Sequence, residues 1–165
     1  MLEINFKTAW EGAKISAVVV CLGIIFFYVN TNYIKSGLVA AIPDFLVDFA
    51  YLALFMFAGF KTAKELGGNL RTAGAAGALA AIASTVFHTI LIGLGMLMAA
   101  QDNPGLISPE LAEAAGGQAN VGIFAALVYL LVMGLFLALS AAVNFIAGMA
   151  GGFIGERLRK ASGKH

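Results

Sequence analysis

Residues 72–100, TAGAAGALAAIASTVFHTILIGLGMLMAA, carry no Asp, Glu, Lys or Arg. At roughly 1.5 Å per residue such a helix exceeds the roughly 30 Å hydrocarbon core of a bilayer, so the stretch reads as a membrane-spanning helix. Gly74, Gly77, Ala81, Ser84 and His88 recur at steps of three or four and share one face, with Gly95 continuing the stripe. Small residues let backbones approach closely. Close packing and hydrogen bonds drive helix association in lipid, so this stripe marks a protein-facing side and predicts the packed centre of a bundle.

Composition leads to the same class. The chain has 165 residues, 61% of them hydrophobic and 12% charged, far from the balance of a water-soluble domain. A net charge of +1 offers no electrostatic case for a nucleic-acid partner. The single cysteine, Cys21, excludes an internal disulfide and a cysteine-rich metal site, and reads as a small core residue.

Read in order, the chain predicts spans at about 15–34, 44–60, 72–100 and 120–147 within one transmembrane domain covering 1–165. Ahead of the first span, residues 2–14 alternate apolar and polar side chains around Trp10. They fit either a short amphipathic helix on the membrane surface or a plain extension of the first span. The first span is too long for a signal-peptide core and reads as a retained anchor. Pro43 followed by Asp44 is a helix start. The loop KTAKELGGNLR, 61–71, is short enough to make the second and third spans an antiparallel hairpin. Residues 101–118 form a polar connection. Residues 120–154 exceed one span and fall short of two, which predicts one long tilted helix, the alternatives being a split near Ser140 or a re-entrant piece. Gly148 and Gly152, and Gly151 and Gly155, form overlapping GxxxG motifs for helix packing, either onto the hairpin or onto a second copy. Ala58-Gly59 and Ala147-Gly148 correspond faintly as a parallel repeat. The tail 156–165 is basic.

Four crossings place Lys7, Lys14, Lys61, Lys64, Arg71, Arg157, Arg159, Lys160 and Lys164 on one side and leave Lys35 on the other. Cytoplasmic loops are enriched in Lys and Arg, so both termini and the 61–71 loop are expected in the cytoplasm. The expected fold is therefore an all-α, polytopic, four-helix bundle in the inner or plasma membrane.

Ionisable groups at membrane depth are costly and ask for partners, which singles out Asp48 and His88. Counted from the ends of their spans, they lie roughly 7 Å and 4 Å to the outer side of the midplane, with Tyr129 at about the same level. An Asp48, His88, Tyr129 layer is a candidate polar site for a proton or small cation, because a histidine beside a carboxylate titrates near neutrality. Enzyme motifs are missing: there is no H-E-x-x-H, G-x-S-x-G or dinucleotide fingerprint. One intramembrane histidine is too few for haem, and no cofactor or metal is expected. The leading expectation is a protein that acts by helix packing, as a homo-oligomer or an accessory subunit, with lipid and other transmembrane helices as partners. The alternative is a small transporter or channel for a proton or small cation.

Overall fold

The computed structural model describes residues 3–34, 37–102 and 118–163, the side chains of 32, 38, 40, 44, 94–102 and 118–130 excepted. Among the described residues every regular element is helical: α1 Phe6–Val29, a π-helical turn Asn30–Ile34, α2 Gly37–Ala40, α3 Asp44–Lys64, α4 Leu70–Asp102 and α5 Gln118–Ala161. Four of these helices are long and apolar enough to cross a membrane, over Phe6–Val29, Phe45–Lys64, Leu70–Gly93 and Leu131–Ala161.

Local chemistry sets the helix ends. Asn5 caps α1, its side chain accepting from Thr8 N at 3.1 Å. Pro43, extended at the N-cap, opens α3, where its missing N–H costs nothing. Lys61 and Lys64 close α3 over the negative end of its dipole, with the Lys64 ammonium 5.1 Å from the centre of the Phe60 ring. The chain then turns through Gly67, whose φ of 69° is a conformation glycine adopts without strain. Gly68 N donates back to Thr62 O at 2.9 Å. Asn69 caps α4 by accepting from Thr72 N at 2.9 Å, and its amide donates to Glu3 O at 3.0 Å. Asn5 N donates to Thr72 Oγ1 at 3.2 Å, so the segment before α1 is fastened to the start of α4.

The helices run beyond the apolar stretches. α1 begins at Phe6 without a break, so residues 6–14 belong to the same helix as the apolar stretch that follows. α3 reaches Lys64, and α5 is continuous through Ser140 to Ala161, with neither a split nor a re-entrant piece. Backbone hydrogen bonding does not stop where hydropathy falls. Lys, Glu and Arg are good helix formers, and their ends are tied here by Lys14–Glu11 at 2.6 Å and Lys160–Glu156 at 2.7 Å.

The α3/α4 hairpin forms the centre of the bundle, with α1 packed on both its helices along one flank and α5 on both along the other. The contacts are made by small side chains. α1 buries Ala9, Gly12, Ala13, Ser16, Ala17 and Val20 along one face. Gly12 lies over Thr62, whose hydroxyl donates to Ala58 O at 2.8 Å and so carries no unmet polar group into the seam. Ser16 Oγ is fully buried with no hydrogen-bond partner among the described residues.

α5 is held at the hairpin by glycine. A Cβ on Gly59 or Gly151 would overlap the backbone carbonyl of Gly148 or Met56. One on Gly155 would lie 2.6 Å from Phe60 O, and one on Gly148 would lie 2.6 Å from Ala73 O. Gly77 meets Asn144 O and the Gly148 backbone, Gly74 meets Phe145 and Met149, and Gly152 meets Ala73. Gly148, Gly151, Gly152 and Gly155 of α5 are thus occupied by α3 and α4 of the same chain. All of these contacts fall in the half of the bundle that ends at Lys61, Lys64, Arg71 and Arg157.

Candidate functional site

Beyond this seam the helices part. A cleft of about 1150 Å³ opens between the other halves of α1, α3, α4 and α5. Each helix contributes one face at helical spacing: Val20, Ile24 and Phe27 from α1; Phe45, Asp48, Leu52 and Phe55 from α3; Ser84, His88 and Leu91 from α4; Phe136, Ser140 and Asn144 from α5. Residues of both flanking helices reach the same space.

The floor is buried. Val20, Phe55, Ser84 and Asn144 are each less than a tenth exposed. Ser84 Oγ donates to Ala80 O at 2.5 Å, and Asn144 Nδ2 donates to Ser140 O at 2.9 Å and to Ser140 Oγ at 3.3 Å. The side chains at the floor therefore bond within their own helices. Nearer the mouth, Asp48, Phe49 and His88 are exposed. Tyr51 leans across to α1, where the absence of a side chain on Gly23 leaves room for it: a Cβ there would lie 3.3 Å from the tyrosine hydroxyl.

Asp48 and His88 line the same cleft from neighbouring helices. The ion pairs among the described residues, Lys14–Glu11 and Lys160–Glu156, involve neither of them. His88 continues the α4 stripe of Gly74, Gly77, Ala81 and Ser84 by one turn, so the face that packs the bundle at one end lines the cleft at the other. Tyr129 is different. Thr89 Oγ1 donates to Met133 Sδ at 3.6 Å, which sets His88 level with about residue 134 of α5. Tyr129 then lies about five residues, or roughly 7.5 Å, farther from the basic end than the level derived from the sequence. The difference arises because α5 extends to Ala161, which displaces the midpoint inferred from the 120–147 stretch. The Tyr129 side chain lies outside the described residues.

The aromatic lining was not anticipated. Phe45 and Phe49, with Leu52 and Phe55, fall at steps of three and four beside Asp48, a pattern that in a membrane helix reads equally as a lipid-facing side. Among the described residues no group of three or more His, Cys, Asp or Glu could hold a metal ion.

Fold and cleft together define an all-helical protein whose four apolar helices are compatible with a multi-pass membrane protein. The chain matches no protein-family model, no curated protein and no solved structure.

Proposed function

We propose that this is a multi-pass protein of the inner or plasma membrane, both termini cytoplasmic, that binds and passes a proton or small cation through the cleft holding Asp48 and His88. One observation carries the reading: the two ionisable side chains at membrane depth line one cavity. An intramembrane acid or base is costly wherever it faces hydrocarbon, and its location in a cavity is the usual mark of an ion or proton path. The sidedness rests on the bases, since Lys61, Lys64, Arg71 and Arg157 all belong to the seam end of the bundle.

A purely packing role is less well supported. The glycines that would serve a homo-oligomer or an accessory subunit are already used inside the chain, and four helices enclose more space than a dry bundle needs.

Flux measurements on the purified chain in liposomes test the proposal. Asp48→Asn and His88→Gln, each at an exposed position and so harmless to the fold, are expected to lower proton or monovalent-cation flux about tenfold or more, the effect of roughly 1.4 kcal/mol at the rate-limiting site. Unchanged flux in both variants would overturn it.

A further inference from the structure

We infer that the cleft takes an organic ammonium ion with an apolar body, a quaternary or protonated amine, in preference to a bare inorganic cation. The inference rests on the cation-handling reading above and specifies the ligand of that same cleft.

Size is the first argument. At about 1150 Å³ the open cleft is somewhat larger than the clefts that take drug-sized molecules, and it far exceeds any dehydrated alkali or alkaline-earth ion. Such ions are also held by a shell of about six to eight oxygens, or by fewer when waters remain. Among the described residues the cleft offers one carboxylate, Asp48, with hydroxyls and an amide scattered over several turns, and the Ser84 hydroxyl and Asn144 amide already donate within their own helices.

The walls are the second argument. Phe27, Phe45, Phe49, Tyr51, Phe55 and Phe136 enter the lining from three helices. Aromatic faces attract alkylammonium groups through the ring quadrupole, modestly at the exposed Phe45, Phe49 and Phe136 and more strongly at the buried Phe55, whereas strongly hydrated inorganic cations keep their water instead. Among the described residues Asp48 is the one carboxylate of the lining, and on α3 Phe45, one turn before it, and Phe49, next to it in the chain, line the same space. Among the described residues the lining contains no Lys or Arg to repel a cation. The apolar part of such a ligand meets Val20, Ile24 and Leu52.

Calorimetric titration of the detergent-purified full chain with benzyltrimethylammonium provides the test, with its uncharged isostere neopentylbenzene and sodium chloride as competitors. Saturable binding is expected for the ammonium. Asp48→Asn is expected to weaken it about tenfold or more, Asp48→Glu to leave it within about threefold, and Phe49→Leu to weaken it about two- to fivefold, the range of one exposed cation–aromatic contact. Neither competitor is expected to displace it at comparable concentration. No saturable binding, equal binding of neopentylbenzene, displacement by sodium, or indifference to Asp48→Asn would each overturn the inference. Flux that depends on Asp48 alongside any of those outcomes removes the organic ligand alone and leaves the cation path standing. Flux that ignores Asp48 and His88 removes both.

Discussion

Gly59 of α3 and Gly148 of α5 meet backbone to backbone, so closely that a Cβ on Gly59 would overlap the Gly148 carbonyl. Gly148 in turn contacts Ala73, Gly74 and Gly77 of α4, which makes it the point where three helices converge. No side chain larger than hydrogen fits either position without moving a helix.

Alanine at Gly59 or Gly151 is therefore expected to destabilise the bundle by about 1–3 kcal/mol, because the clashing atom is backbone and cannot rotate away. Alanine at Gly93 or Gly134, which have nothing within 4 Å of an added Cβ, is expected to be neutral or stabilising by up to about 1 kcal/mol through helix propensity. Thermal or denaturant unfolding in one detergent, followed by circular dichroism, compares the four variants directly.

Aqueous thiol probes are expected to label α4 in a gradient. With Cys21 replaced by alanine, cysteine at 88 should react fastest, cysteine at 84 slowly and cysteine at 81 hardly at all, since Ala81 is 1% and Ser84 3% exposed while His88 lines the open part of the cleft. Equal silence at all three positions in liposomes would mark a dry seam and remove the water-accessible path.

Asn69→Ala removes the cap of α4 together with the tie to Glu3. A loss of about 0.5–2 kcal/mol is expected from the cap. The freed amino-terminal segment should also be cut faster by trypsin after Lys7, a change that a stability effect confined to α4 would not produce.

A reporter fused after His165 is expected to lie in the cytoplasm and one inserted after Gly105 on the opposite side, as four crossings with the bases inward require. Both reporters on one side would contradict that threading.

Much of this architecture was legible in the residues, for identifiable reasons. An uncharged run such as 72–100 announces a long apolar helix through its length, and the Gly74, Gly77, Ala81, Ser84 stripe announces a packed side because little else explains small residues at that spacing. Asp48 and His88 stood out because ionisable groups are rare at membrane depth. Helix ends were less legible: Lys14, Lys61 and Arg157 interrupt hydropathy but favour helix, so α1, α3 and α5 pass beyond the limits the apolar stretches suggest. Relative depth across helices was least legible, as Tyr129 illustrates, because it depends on register set by contacts such as Gly77 with Gly148 and Thr89 with Met133. The cleft itself had no local signature. Its lining changes from the small residues of the seam to Phe, Tyr and Leu partway along the helices.

A bundle fastened at one end behaves as a lever. With the pivot at the glycine contacts, tilting a roughly 30 Å helix by about 4° displaces its far end by about 2 Å, enough to widen or narrow a molecular opening while the near end stays shut. The glycines consequently do more than hold the chain together. They concentrate whatever bending the protein undergoes at the mouth, and on the proposed cation path they would form its closed end.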